Sequence, residues 1–176
     1  FAVIDEAERE AAIAAIVGEM VDDPDAAFRT DAVLYQDFLV RCRIRRLQGE
    51  PLGLPQFRRR LAVAKARIDP ELAAGEPWQQ ALALSAGLPD DLHAVFLIVA
   101  KAAISGEPCP PDSVLARAYG THSTRRARRL LAYFEERDVA MVRTDFHGRR
   151  IVAFPDIGCE TAPGDPDGAP LAEAAE

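Results

Sequence analysis

The sequence has no apolar run long enough to cross a lipid bilayer. Its longest apolar stretch without a formal charge, residues 92–100, contains His93 and is far shorter than the roughly 20 residues of a transmembrane helix. The opening residues, FAVIDEAERE, also lack the basic start and long apolar segment of a signal peptide. These two absences predict a cytoplasmic chain with no membrane partner.

Cysteines and catalytic motifs are similarly scarce. The three cysteines, Cys42, Cys109 and Cys159, are odd in number and widely spaced, which excludes a disulfide framework and a CxxC metal site. No HExxH, P-loop, GxSxG or GxGxxG motif is present. His93 lies in an apolar segment and is typical of a core histidine that forms a hydrogen bond. We therefore expect no enzyme activity, no cofactor and no metal ion.

What the chain does have is an ordinary globular composition with strongly segregated charge. Its 176 residues are 49% hydrophobic and 28% charged, which suffices to bury a core in one domain or two small ones. The net charge of −7 conceals five blocks. They carry −8 over residues 1–40, +8 over 41–67, −5 over 68–100, +4 over 101–155 and −6 over 156–176. Such segregation indicates strong local electrostatic fields.

Residues 1–88 are predicted to form a helical region. An amphipathic pattern over residues 4–20 is followed by a second helix that Thr30 caps, and Pro55 suits the first turn of a third. The apolar positions assigned to the inner face of the second helix are Val33, Leu34, Phe38, Cys42 and Ile44. We expect this region to serve in dimerisation or as a second helix-turn-helix.

The basic block at residues 41–67 leaves two interpretations open. Residues 30–68 could form a helix-turn-helix that binds nucleic acid. Alternatively, the arginines could dock against the acidic residues 1–31 of the same or a neighbouring chain. Arg58, Arg59 and Arg60 open a helix, where the positive end of the helix dipole makes cations slightly unfavourable, and this favours an anionic partner.

Residues 89–157 show a clear order of elements. An apolar helix over residues 91–104 precedes a short helix, which Asp112 or Ser113 caps and Gly120 ends. A basic helix follows, from a cap at Thr121 or Ser123 to about Arg137, and two strands over 140–144 and 149–154 surround a turn. The remaining residues, 158–176, are rich in Pro, Gly, Ala and acid, and are predicted to form a flexible tail.

This order resembles a winged helix-turn-helix. The run SVLARAYGTHSTRRARRLLAYFEERDVAMVRTDFHGRRIVAF is similar to the layout of bacterial regulators of the multiple-antibiotic-resistance (MarR) type, with Gly120 at the turn. Two features depart from that family. Asp138 stands where the family commonly has glycine, and the stretch from Gly120 to the Glu135-Glu136-Arg137 exit is one residue longer than is typical. The resemblance implies a mainly α fold with a two-stranded β-hairpin wing, and a DNA-binding function.

The residues support a double-stranded DNA partner on physical grounds as well. The opening turns of a recognition helix meet base edges in the major groove, where arginine can bind guanine in a bidentate manner. Four arginines within five positions repel one another unless an anion is near. The wing would add contacts to phosphates. The predicted DNA-binding residues are Thr121, His122, Ser123, Thr124, Arg125, Arg126, Arg128, Arg129, Arg143, His147, Arg149 and Arg150.

The sequence thus predicts a DNA-binding transcriptional regulator. A homodimer is expected, since one recognition helix reads few base pairs, with the helix at 4–20 and the arginine-rich helices as candidate interfaces. One alternative is a non-enzymatic protein-interaction or assembly module built on a winged helix. The other is a replication or partition protein that binds DNA through both basic blocks.

Overall fold

The computed structural model describes residues 5–168, and over these it is mainly α-helical with a small antiparallel sheet. Contacts between residues divide the chain into two compact units, residues 1–65 and 66–176. The α-helices are α1 (Glu6–Asp22), α2 (Asp31–Ile44), α3 (Leu54–Ala66), α4 (Pro70–Ala73), α5 (Glu76–Ala86), α6 (His93–Ser105), α7 (Asp112–Tyr119) and α8 (Thr124–Glu136). The strands are β1 (Met141–Thr144), β2 (Arg150–Phe154) and β3 (Cys159–Glu160).

The first unit packs α1, α2 and α3 around an apolar cluster. As predicted, the Thr30 hydroxyl caps α2 by accepting a hydrogen bond from the Val33 N–H at 3.3 Å. Phe38 and Phe57 are fully buried with ring centroids 4.9 Å apart. Tyr35 stacks on Phe57 and donates its hydroxyl to the Leu52 carbonyl. These contacts order the loop between α2 and α3.

The inner face of α2 is narrower than the sequence indicated. Leu34, Phe38 and Cys42 are buried, whereas Val33 is 53% and Ile44 is 74% exposed. The assignment of Val33 and Ile44 to the inner face is therefore wrong. Residues four apart lie on one helical face, and Ile44, two positions beyond Cys42, is rotated by about 200° away from it.

Several arginines of the basic block pair with carboxylates of the first unit. Glu19 binds both Arg41, at 3.4 Å, and Arg45. The Arg60 guanidinium lies 2.6 Å from the Glu10 carboxylate, and Arg58 lies 3.1 Å from Asp31. These pairs are those expected if the block docks against residues 1–31 of its own chain. Arg43, Arg46 and Arg59 remain exposed.

The second unit begins earlier than the predicted boundary at residue 89. Helices α4 and α5 belong to it, because Trp78 and Ala81 of α5 are buried where α5 packs on α6. Helix α6 is almost wholly buried. His93 is 6% exposed and its Nε2–H donates to the Leu88 carbonyl at 2.9 Å, which confirms the prediction of a core histidine.

The sheet has three antiparallel strands in the order β1-β2-β3, where the sequence predicted two. Val142 lies opposite Val152 in the β1–β2 hairpin, and Ala153 lies opposite Glu160. Along β2, side chains alternate between the two faces, and Arg150, Val152 and Phe154 point to the buried one.

The predicted core of residues 90–155 is confirmed. Phe96, at 0% exposure, meets Phe134 of α8 and Phe154 of β2 edge-to-face, at centroid distances of 5.4 and 5.5 Å. Leu115, Leu130 and Leu131 are buried as well. Helices α6, α7 and α8 and the sheet therefore share one core.

The predicted flexible tail is in part wrong. Residues 159–168, which we call the C-terminal strap, pair with the rest of the second unit. Gly164 exchanges backbone hydrogen bonds with Arg150 at 2.7 and 2.9 Å, and Ala162 bonds to both Glu107 and Cys109. Backbone pairing, which composition does not reveal, orders the strap. Residues 169–176 lie outside the described part of the chain.

Candidate nucleic-acid interface

The turn between α7 and α8 depends on Gly120. This residue has φ +92°, a left-handed conformation that glycine adopts without steric penalty, and its N–H and that of Thr121 both bond to the Ala116 carbonyl. Ser123 then caps α8, because its hydroxyl accepts the Arg126 N–H at 3.2 Å. The turn thus orients the start of α8 rigidly relative to α7.

Helix α8 separates its apolar and basic faces sharply. Ala127, Leu130, Leu131 and Phe134 are buried. Arg125, Arg126, Arg128 and Arg129 are all exposed on the opposite side. The pattern that the sequence predicted for this helix is therefore present.

The four arginines of α8 differ in their surroundings. The side chains of Arg125 and Arg129 form no ion pair or hydrogen bond with any residue from 5 to 168. The Arg126 guanidinium lies 5.9 Å from the centre of the Tyr119 ring, within range of a cation–π contact. Arg128, in contrast, binds Asp112 at 2.5 Å and Asp167 at 3.0 Å, and its bonds to Asp112, then Asp167, raise its pKa.

The segment before α8 supplies exposed polar side chains. His122, Ser123 and Thr124 are exposed, and Thr121 is half-buried. The Thr121 hydroxyl accepts the Ser123 N–H at 3.2 Å and the Ser123 hydroxyl is used as the cap. These two hydroxyls therefore maintain the local backbone.

The arginines of the β1–β2 hairpin each have a carboxylate partner. Arg143 lies 2.8 Å from Glu160 of the strap, and this contact raises the pKa of Arg143. Arg149 lies 2.9 Å from Asp145. His147 is exposed at the turn. The hairpin therefore carries less uncompensated positive charge than its sequence implies.

The sequence predicted that Arg150 contacts DNA, but the structure buries this residue. The residue is 6% exposed, and its guanidinium donates to Asp112 at 2.6 Å and to the Pro110 carbonyl at 2.8 Å. Its Nε–H points at the Cys109 sulfur, 3.4 Å away. Burial alone would lower the pKa of Arg150, but these bonds outweigh it and the pKa is raised.

Sequence reasoning also missed the partner of Arg150. Asp112 or Ser113 was expected to cap α7, yet no side chain caps this helix. The carboxylate of Asp112 is 1% exposed and binds Arg150 and Arg128 instead. The sequence did contain a sign of this buried position. Side chains alternate between the two faces along β2, which places Arg150 on the same face as the apolar Val152 and Phe154. A charged residue in that register predicts a buried counter-ion.

Comparisons with protein-family models, with curated proteins and with solved structures gave no significant match to this chain. Among the helices of residues 5–168, none is long and apolar enough to cross a membrane. The same residues contain no group of three or more side chains placed to hold a metal ion. The physical properties of the α7–α8 surface therefore carry the functional argument.

Proposed function

We propose that this protein binds double-stranded DNA through a winged helix-turn-helix formed by α6, α7, α8 and the β1–β2 hairpin. In this proposal α8 is the recognition helix, as in MarR-type bacterial regulators. The main support is the exposed face of α8, on which Arg125, Arg126 and Arg129 have no carboxylate partner among residues 5–168. Arginines so placed suit a helix that enters the major groove.

The backbone at Asp138 also supports the proposal. Asp138 stands where the family commonly has glycine, and it has φ +58°, the left-handed conformation that favours glycine and that aspartate tolerates better than most residues. The chain therefore leaves α8 with the backbone geometry that the family's glycine would serve.

Within this proposal, transcriptional regulation in the cytoplasm is the expected role, and a homodimer is the expected state. Paired half-sites increase discrimination beyond that of one recognition helix. The candidate contact is the outward apolar face of α2, where Val33, Val40 and Ile44 are 47–74% exposed. Light scattering that gives twice the 19.2 kDa of one chain would support the dimer, and 19.2 kDa at micromolar concentration would exclude it.

A second candidate is a protein-interaction module, which the pairing of the hairpin arginines favours. Arg143 and Arg149 already bind carboxylates, so the hairpin adds little to a phosphate-binding surface. Salt dependence distinguishes the two functions. DNA affinity falls steeply with salt in proportion to the phosphates that are neutralised, whereas a protein interface with an apolar centre responds less.

The decisive experiment is a selection of genomic DNA fragments with the purified protein, followed by titration of a recovered duplex at several salt concentrations. A linear fall of log K with log salt, together with a preference over a scrambled duplex, would support the proposal. If no fragment is enriched and duplex DNA is not bound at low salt, the interaction module becomes the leading function.

A further inference from the structure

Phe146 is fully exposed at the tip of the β1–β2 hairpin, with a relative accessibility of 107%. In the same unit, Phe96, Phe134 and Phe154 are at most 1% exposed, as is usual for phenylalanine. A single exposed apolar side chain is ordinary in itself. What distinguishes Phe146 is the turn that presents it.

Asp145, which precedes Phe146, holds the turn through hydrogen bonds to residues that follow Phe146. Oδ1 of Asp145 accepts the N–H groups of His147 and Arg149, both at 2.9 Å, and Oδ2 accepts Nε–H of Arg149 at 2.9 Å. The Asp145 backbone also bonds to Gly148 and Arg149, and Gly148 has φ +75°. A turn whose backbone is already ordered loses little backbone freedom on binding.

The groups around Phe146 suit nucleobases. The exposed side chains at the tip are a phenyl ring, the imidazole of His147 and the guanidinium of Arg149, which are all planar groups that stack on bases. The carboxylate of Asp145 is directed into the turn and 18% exposed. Because Arg149 is paired with it, the tip is better suited to stacking than to holding phosphates.

We propose that Phe146 inserts between neighbouring base pairs from the minor groove and bends the duplex at that step. This inference rests on the proposed DNA-binding function. Apolar side chains that enter the minor groove partly unstack a base step and kink the duplex towards the major groove. The bend adds discrimination, because pyrimidine–purine steps deform more easily than others.

The test uses a duplex recovered in the genomic selection, labelled with a fluorophore at each end. Affinity is measured by anisotropy and bending by energy transfer between the ends, for the full chain and three variants. Phe146→Ala removes the ring and Phe146→Trp keeps a planar one. The matched control is Met141→Ala, which removes another exposed apolar side chain of the hairpin, 61% exposed, at its base rather than its tip.

We expect Phe146→Ala to weaken binding by roughly tenfold to hundredfold, the range found when a stacking aromatic is removed, and to abolish the bend. Phe146→Trp should retain both properties and Met141→Ala should change neither. Circular dichroism should show that all variants fold, as expected for changes at exposed positions.

Three outcomes overturn the inference, and they are distinguishable. If the wild type binds the duplex and Phe146→Ala binds and bends it equally, Phe146 is not a wedge although the proposed function stands. If the wild type binds no DNA, both fail. Cosedimentation with anionic phospholipid vesicles that Phe146→Ala abolishes, while DNA bending persists, would assign the ring to a membrane surface instead.

Discussion

Arg150 and Asp112 form a buried ion pair, with Nη1 of the arginine 2.6 Å from Oδ1 of the aspartate. The pair joins β2 to the first residue of α7, and Asp112 extends it to Arg128 of α8. Its three members thus come from two helices and the sheet. This network fixes the relative positions of the elements that carry the candidate interface.

Replacing Arg150 should affect folding rather than DNA contact. Arg150→Met leaves the buried carboxylate of Asp112 with Arg128, whose side chain is 58% exposed, as its remaining partner. Breaking a buried pair in this way destabilises a protein by about 3–5 kcal/mol. Arg149→Met, which removes the neighbouring exposed arginine, is the control and should shift the free energy of unfolding much less. Urea denaturation measures both. Equal effects of the two substitutions would show that the pair is not structural.

The strap should depend on the absence of a side chain at Gly164. A Cβ at this position would fall against the backbone of Cys109, 2.8 Å from its nitrogen and closer still to its carbonyl oxygen. Gly164→Ala is expected to destabilise the protein by roughly 1–3 kcal/mol, as overpacking does. Gly18→Ala, in α1 with nothing within 4 Å, should instead stabilise it by about 0.5–1 kcal/mol. Thermal unfolding of both variants tests this difference.

Periodic patterns predicted the helices and the core well, because burial and side-chain spacing are local properties of the sequence. The seam of Ala127, Leu130, Leu131 and Phe134 is buried as the spacing indicated, and the caps at Thr30 and Ser123 are present. For such elements the apolar stripe and the capping residue both favour the same helix with the same bounds.

Long-range pairing was not predictable from the same patterns. The strap binds mainly through backbone groups, as between Gly164 and Arg150, and backbone groups are identical in every sequence. Likewise, Asp112 suits both a helix cap and an ion pair, and only the three-dimensional position of Arg150 decides between them. The exposed arginines of α8 could be identified from sequence, whereas the partners of Arg128 and Arg143 could not.

Arg125 and Arg126 should contribute to reading bases. Both lie in the first turn of α8 and are exposed. Replacing either with alanine is expected to weaken binding to the selected duplex by roughly 1–3 kcal/mol and to relax its sequence preference. Arg149→Ala should weaken all sequences alike and by less than the α8 variants, because Arg149 is already paired with Asp145. The slope of log K against log salt should fall by less than about one unit. If the α8 variants bind selected and scrambled duplexes as the wild type does, α8 is not the recognition helix.

The hairpin turn should loosen at acidic pH. Burial alone would raise the pKa of Asp145, but hydrogen bonds from Arg149 and His147 outweigh it and the pKa is lowered. The stabilisation is therefore complete above the ordinary aspartate pKa, about 3.9, and is lost as the pH falls through the lower pKa of the folded state. The protection of the His147 and Arg149 amides from hydrogen exchange, relative to the intrinsic rate at each pH, should fall in that range. Asp145→Ala should leave both amides unprotected at every pH.

The strap should compete with DNA for Arg128. Asp167 lies 3.0 Å from the exposed guanidinium of Arg128, so a phosphate that approaches this arginine meets a carboxylate. Asp167→Asn is expected to tighten binding of the selected duplex by roughly twofold to fivefold at low salt, in keeping with the modest strength of exposed pairs. For this variant the slope of log K against log salt should become steeper by up to about 0.9, because one phosphate contact is gained.

The control for this substitution is Asp156→Asn, which removes one negative charge from an exposed position of the same unit without touching Arg128. A change in net charge alone would affect both variants equally. An effect confined to Asp167→Asn, and absent when Arg128 is also replaced by alanine, would place Arg128 at the DNA backbone. If Asp167→Asn binds no more tightly than Asp156→Asn, Arg128 serves only to hold α8 against Asp112 and the strap.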